Sequence, residues 1–461
     1  MGAAAEERDP SGDRARPMAV LSFAVVGFAV QQTAIVPAIA DVQTSLHASA
    51  EWAAWLVTVY LTVATVATLA MGRLGDLHGR RRMLLYGLGI FAAASLGAAL
   101  APNIAVLIAF RALQGVGGSV YPLALSIARD QVPDGRVARS VAGLTAAFGV
   151  GTAVGFVGGG LLAQYSTWRW IFGAGTVLVT AAALLVHRYV PETRDRASGG
   201  FDVIGTAVLG LAAVGLLTAL TVSVSAGWAS PTTIGLLVVA AAAALAWALL
   251  ERRAADPLVD LHVLRERPVL ISNLATIGLG WALFGSFLLV PDFARAGGAY
   301  GLGESSFGVG LVLLPLAVGQ LGAARLAGTL VQKVRARYVF AGGLALTGAA
   351  LIGLSQVRAG VAPVAAAVFV LGVGAGAALQ ASSSVVTEGV AADVAAVSTS
   401  LNSTVRRLGG GVGGQVSTIL LASFVVSSAQ PQFVAFVVAY LIAAGLCVAG
   451  AGVALLGVRT G

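Results

Sequence analysis

The sequence predicts an all-α integral membrane protein of 14 transmembrane helices, arranged as two six-helix pseudo-symmetric bundles with two further helices inserted between them. Three observations lead there. Of 461 residues, 58% are hydrophobic and 10% charged, whereas soluble domains carry about 25% charged residues. A soluble fold would have to bury nearly the whole chain in one core, and single cores stop growing at roughly 250 residues. Apolar runs of spanning length recur from end to end, separated by short turns marked by Gly, Pro, Ser or charge. Finally, the basic residues crowd into alternate turns.

The apolar runs cover residues 18–40, 51–71, 83–101, 104–128, 138–163, 168–190, 203–225, 231–250, 268–291, 306–331, 337–357, 361–387, 397–426 and 431–457. With the amino terminus inside, 21 of the 28 Lys and Arg residues fall on the cytoplasmic side. Only Arg169, Arg295 and Arg358 fall opposite, and Arg111, Arg325, Arg406 and Arg407 lie within spans. Short loops rich in Lys and Arg stay in the cytoplasm. The expectation is a multi-pass protein of the inner (cytoplasmic) membrane with both termini cytoplasmic.

The net charge of +8 therefore orients helices in a lipid bilayer and implies no nucleic-acid partner. Residues 1–17 read as a disordered cytoplasmic segment. The run that follows is too long for the core of a signal peptide. The division expected is an N-terminal bundle at 18–190, a linker at 191–261 carrying the two extra spans, and a C-terminal bundle at 262–461.

Enzyme chemistry finds no footing. The four histidines, His47, His78, His187 and His262, are scattered without metal-ligand spacing, and Cys447 is the single cysteine, inside an apolar run. Lys333, the single lysine, lies outside any phosphate-binding loop, and no nucleophile elbow occurs. No enzyme activity, metal site or ATP-driven pump is expected.

The most informative stretch is Gly72-Arg73-Leu74-Gly75-Asp76-Leu77-His78-Gly79-Arg80-Arg81-Arg82, a charge-dense turn between the second and third runs. Gly72, Gly75 and Gly79 permit close approach of helices and loop. Asp76 among Arg80 and Arg81 forms a candidate conformational latch, made with the other bundle in one state and broken in another; a solvated topogenic loop is the plainer reading. The stretch at residues 328–337 echoes it, with Gln332 where Asp76 stood. Such a repeat implies two related bundles with substrate carried between them.

The turn resembles the Gly-x-Leu-x-Asp-x-x-Gly-Arg-Arg signature of the major facilitator superfamily, and fourteen spans point to its 14-helix drug:proton antiporter branch. In the fourth run, Arg111, Gln114 and Gly115 resemble the superfamily's Arg-x-x-Gln-Gly motif, implying that Arg111 influences protonation of a nearby acid. A snorkelling or structural arginine is the alternative. Gly151, Gly155 and Gly159 of the fifth run resemble the glycine-rich antiporter signature, although the family has Gly-Pro where this chain has Gly155-Phe156. Simple close packing explains such glycines equally well.

The resemblance implies a secondary transporter exporting amphipathic drug-like or metabolite molecules by alternating access, with no cofactor and a proton gradient as energy source. A dedicated exporter of an endogenous natural product or lipid is the alternative. The partners expected are the small-molecule substrate, protons and lipid, and the chain is read as a monomer. Acids available for proton coupling are Asp41, Glu51, Asp292 and Glu388, all near span ends. Candidate cavity residues are Gln31, Gln32 and Thr33 before the helix-bending Pro37, with Gln114, Asn273, Trp281, Phe284, Gln320, Asn402 and Arg406. The two amides of the first run serve equally well as bonds between neighbouring helices. Adjacent Arg406 and Arg407 point about 100° apart on a helix, so one is expected to face the interior and the other to snorkel or pair with a neighbour such as Glu388.

Overall fold

A computed structural model of the chain describes residues 10–132, 134–192, 199–254, 263, 266–298, 300–388, 390, 392–424 and 432–457. Among these the structure is helical, without strands. The first span is a broken rod: α1 (Pro10–Thr33), a 3-10 turn (Val36–Ala38) and α2 (Ile39–Ser45). Pro37 sets the break, since it has no N–H to continue the α-helical ladder. Helix α1 begins at Pro10, so the last part of the segment expected to be disordered, residues 10–17, is helical; residues 1–9 lie outside the described residues.

Helices α3 (Ala50–His78) and α4 (Arg80–Ala99) follow. The fourth span is again broken, into α5 (Ile104–Gly115), a 3-10 turn (Val116–Ser119) and α6 (Val120–Gln131). A Cβ on Gly117 or Gly118 of that turn would strike Phe91 or Ala64. The N-terminal bundle closes with α7 (Asp134–Tyr165) and α8 (Arg169–Tyr189). Asn103 caps α5 by accepting a 3.0 Å hydrogen bond from the Val106 N–H.

The inserted pair is α9 (Val203–Ala226) and α10 (Pro231–Glu251). Asp202 and Ser230 cap them, accepting from Gly205 N at 2.8 Å and Thr233 N at 3.1 Å. The C-terminal bundle holds α11 (Arg267–Arg295), α12 (Ser306–Leu330), α13 (Ala336–Gln356), α14 (Val361–Glu388), α15 (Ala392–Ser423) and α16 (Phe433–Gly457). Thirteen described spans are long and apolar enough to cross a membrane. The remaining long helix, α15, is diluted by Ser398, Thr399, Asn402, Ser403, Thr404 and the Arg406-Arg407 pair.

The two bundles meet along two seams, α3 against α15 and α7 against α12. Helix α9 packs on both α3 and α15, lying over one seam, while α10 packs on α9. Trp55 of α3 fastens it by donating a 2.7 Å hydrogen bond to the Thr221 hydroxyl. At the end away from the 72–82 turn, called here the far end, one continuous apolar core runs through both bundles, from Ile35 and Phe156 to Phe293, Leu313 and Phe436.

Candidate functional site

The 72–82 stretch is less of a loop than its composition predicts. Helix α3 continues to His78 and α4 starts at Arg80, so the chain turns at Gly79 alone. Gly79 has φ +110°, a conformation open to glycine at little cost. A Cβ there would also press on the Glu192 carboxylate, 2.7 Å away. Glu192 accepts from the Arg81 and Arg82 backbone N–H groups at 3.0 and 3.1 Å, covering donors that an α-helix leaves free at its start. Gly75 faces Leu123, whereas a Cβ on Gly72 would meet open space.

Asp76 lies 2.9 Å from Arg80, and Arg80 in turn lies 2.7 Å from Asp130 at the end of α6. Arg81 donates to the His187 carbonyl of α8. These contacts of the latch residues join helices of the N-terminal bundle to one another. The contact of Asp76 with the other bundle, expected for one state of a latch, is not among them.

Arg111 is buried, with 1% of its surface exposed. Its Nε donates to the Leu56 carbonyl at 2.8 Å, its Nη1 donates to Gln114 Oε1 at 2.8 Å, and its guanidinium stacks 4.5 Å from the Tyr60 ring centroid. Gln114 Nε2 then donates to Ser95 Oγ at 2.7 Å. The described polar partners of Arg111 are therefore neutral, and no described carboxylate adjoins it. Gln114, expected on a cavity wall, is fully enclosed in this α3–α4–α5 network.

Helix α7 carries two glycine faces. Gly151, Gly155 and Gly159, four residues apart, lie against Ala29, Val30 and Ala34 of the first span, where a Cβ would collide with backbone. Gly149 and Gly160 lie instead against Leu321 and Ser306 of α12. Phe156, standing where the family has proline, is fully buried and meets Phe287 of α11 edge to face at 5.6 Å. Phe287 meets Phe284 in the same way at 5.5 Å. The departure thus supplies an aromatic bridge between the bundles.

Polar contacts reinforce closure at the far end. Asp41 of α2 pairs with Arg295 of α11 and accepts from the Ser306 hydroxyl of α12. Gln164 Oε1 of α7 accepts from the Phe307 N–H at 3.1 Å. Asp292 lies within electrostatic range of Arg295, Tyr300 and Tyr440. Of the other candidate acids, Glu51 is half-buried at the start of α3, and Glu388 is exposed at the end of α14.

The candidate cavity residues divide. Thr33 is buried and donates to the Ala29 and Thr152 carbonyls at 2.9 and 3.2 Å. Gln31 is pressed onto Gly175 of α8, and neither amide atom has a hydrogen-bond partner. Asn402 donates to Ser272 Oγ and Asn273 Oδ1, both at 3.1 Å, and accepts from Ser382 Oγ at 2.7 Å. Asn273 and Asn402 therefore knit α11, α14 and α15 together inside the C-terminal bundle. Gln32, Trp281, Phe284, Gln320 and Arg406 are half-buried. Phe284 packs against the apolar clusters of both bundles, which places it at the centre of the molecule.

Arg407 reaches across the seam and donates to the Ala64 carbonyl at 3.1 Å and to Thr68 Oγ1, both on α3. The expected pairing of one of these arginines with Glu388 does not occur. Arg406, half-buried, lies within electrostatic range of Tyr121 of α6. Tyr121 shares a 3.0 Å hydrogen bond with Thr145 and packs on Phe148 at 5.1 Å. Reading the sequence missed Tyr60, Tyr121, Asp130 and Glu192. Asp130 and Glu192 carried a signal, since each is an acid beside a span end expected to face the arginine-rich turn.

The sequence profile of the Major Facilitator Superfamily matches residues 21–414. The chain is 29% identical over 420 residues to the tetracenomycin C resistance and export protein of Streptomyces glaucescens, covering 90% of this chain and 77% of that one. It is 31% identical over 355 residues to the lincomycin resistance protein of Streptomyces lincolnensis, covering 76% and 70%. A crystal structure of the peptide transporter POT in complex with sulfate superposes with TM-score 0.70 at 14% identity, over 97% of this chain and 95% of that chain, which shows a shared fold. The paired bundles, the Gly79 turn, the Arg111 network and these matches agree: the chain belongs to the Major Facilitator Superfamily.

Proposed function

We propose that this protein is a secondary active transporter that exports amphipathic, drug-like or metabolite molecules across the cytoplasmic membrane by proton antiport, with the two bundles rocking about a central site. The observation that carries the reading is the asymmetry of the bundle contacts. An ion pair, Asp41–Arg295, and a continuous apolar core clamp the far end; nearer the 72–82 turn the described contacts between bundles are the Arg407 hydrogen bonds to α3 and the packing of Leu69 on Leu401, while the Asp76–Arg80–Asp130 ion pairs stay within one bundle. A molecule closed at one end by breakable contacts suits alternating access. The names of its relatives, a tetracenomycin C export protein and a lincomycin resistance protein, support export of small molecules.

Taking the termini as cytoplasmic, the far end is the outer one, and the state is closed to the outside. Asp41 and Asp292, gathered around Arg295, are the acids proposed to take up the external proton. Neutralising Asp41 removes the charge that holds Arg295 and so favours outward opening. No cofactor is needed, the proton gradient supplies the energy, and one chain is the working unit in the inner membrane.

The test is drug uptake into inverted membrane vesicles with and without an imposed pH gradient. Uptake that depends on the gradient in the wild type and loses that dependence in Asp292→Asn or Asp41→Asn is the expected result; gradient-independent uptake in the wild type overturns proton antiport. The relative named for the single compound tetracenomycin C favours a second reading, a dedicated exporter of one natural product or lipid. A narrow panel of protective compounds in an efflux-deficient host would select it.

A further inference from the structure

We propose that Arg406 is the anion-recognition residue of the central site, and that the preferred cargo is an amphipathic molecule carrying a single negative charge, such as a carboxylate or an ionised phenol on an aromatic body. The inference deepens the export reading and rests on it for the word cargo.

Arg406 lies 14 residues from the start of α15 and 17 from its end, more than about 20 Å along the helix from either one. It therefore lies near the middle of α15, inside the apolar run and away from both helix ends. A guanidinium there is costly unless something pairs with it. Of the other three arginines within spans, Arg325 is exposed on α12, Arg111 is satisfied by a carbonyl, an amide and a tyrosine ring, and Arg407 by a carbonyl and a hydroxyl of α3. Arg406 makes no hydrogen bond or ion pair with any described residue. Its electrostatic neighbours are Arg407, which repels it, and the Tyr121 phenol. The described interior acids are at the ends of the spans, where Asp41 is held by Arg295 and Asp130 by Arg80, and Glu388 is exposed.

The surroundings fit an aromatic body. One turn along α15, on the same face as Arg406, Gly410 leaves the space occupied by the Phe284 ring. Phe284 and Phe287 close the far side, while the Tyr121 and Phe148 rings pack at 5.1 Å on the N-terminal bundle, backed by the buried Phe28. A flat apolar body between those walls would present its charge to the five N–H donors of Arg406. A cationic cargo would meet uncompensated positive charge.

The test is equilibrium binding of a matched fluorescent set, 1-pyrenebutyrate, 1-pyrenebutanol and 1-pyrenemethylamine, to the full-length protein in zwitterionic-lipid nanodiscs, with empty discs subtracted. The anion is expected to bind at least about tenfold more tightly than the alcohol, as a charge-assisted contact out of water would give. Arg406→Gln should erase that preference, with a wild-type thermal midpoint and size-exclusion profile reporting the fold, and Arg406→Lys should restore part of it. Preference of the wild type for the amine or the alcohol, absence of saturable pyrenebutyrate binding, or an undiminished preference in Arg406→Gln overturns the proposal. Displacement of pyrenebutyrate by phosphatidylglycerol in the discs would assign Arg406 to a lipid headgroup and overturn the cargo reading. Anion binding by Arg406 without gradient-driven uptake in vesicles would sink the export reading and leave this site standing; uptake of cations alone would do the reverse.

Discussion

Arg111 is a cation held in the membrane interior by neutral partners, and its geometry explains why an arginine is needed. Nε and Nη1 point to two different acceptors while the planar face lies on Tyr60. A lysine ammonium offers neither the fork nor the flat face. Arg111→Ala leaves the Gln114 amide oxygen buried without its donor, at roughly 1–3 kcal/mol, and removes the second hydrogen bond of the Leu56 carbonyl, which keeps its helical one within α3. We expect Arg111→Lys to retain membrane insertion yet transport at under about a tenth of the wild-type rate, and Arg111→Ala in addition to lower the thermal midpoint by several degrees. Transport assays and thermal unfolding of the purified variants check both, and a Lys variant with wild-type transport would refute the fork argument. The sequence motif singled out Arg111 and Gln114, but it pointed Arg111 at an acid and Gln114 at a cavity wall, where the structure bonds the two to each other; Tyr60 sits in an apolar run that gives no hint of a stacking role.

At the scale of the element, two glycine-governed features decide how helices meet. Gly79 lets α3 and α4 reverse direction in one residue, after which Asp76, Arg80, Asp130 and Glu192 tie α3, α4, α6 and the segment following α8 together. The spacing of glycines and charges marked this stretch as special. It hid that α3 stays helical to His78, because a charged segment at the membrane surface suits an extended helix as well as a loop. Asp76→Asn weakens the Arg80 clamp, and we expect transport to fall sharply with insertion and expression unchanged; wild-type rates would return the stretch to a topogenic role.

Helix α7 makes the second case. Its Gly151, Gly155 and Gly159 face lets the first span approach to backbone contact, and a valine at Gly159 has no space to occupy. We expect Gly159→Val to abolish folded protein, whereas Val replacing Gly158, which faces open space, leaves expression intact. Immunoblots of membranes and size-exclusion profiles distinguish the two. Phe156 is predicted to behave differently: Phe156→Ala should fold, weaken the bridge to Phe287, and speed maleimide labelling of a cysteine placed at Gln164.

At the scale of the molecule, closure of the far end is the property that couples the bundles. The native Cys447 is buried, so engineered cysteines can be labelled against a quiet background. Gln164→Cys with Phe307→Cys places thiols on α7 and α12, across the contact that Gln164 makes to the Phe307 N–H. A short bis-maleimide bridging them is expected to stop transport, and Asp41→Asn or Arg295→Gln is expected to lower the bridging yield several-fold by releasing the ion pair. Equal yields in all three proteins would show that the pair does not hold the bundles together. The inserted helices α9 and α10 follow the same logic from outside, since α9 rests on both α3 and α15 and must move with one of them when the seam opens.

The sequence by itself determined the class and the count of elements. Lipid permits only helices or closed barrels to span it, so length and hydropathy nearly suffice; predicted and observed spans coincide within a few residues except where α1, α3 and α15 extend further into polar sequence. It also determined which motifs are special, because glycine and charge inside an apolar chain are rare enough to stand out. Only the tertiary structure decided where those side chains point. Gln114, Asn273 and Asn402 read as cavity residues and lie inside single bundles, Arg407 bonds across the seam, and Arg406 alone of the interior arginines is left facing the centre. Helical periodicity gives the relative angle between neighbours such as Arg406 and Arg407, but not which neighbour helix occupies each direction. That choice is made when two bundles pack, by contacts between residues hundreds of positions apart, and one sequence carries no record of it.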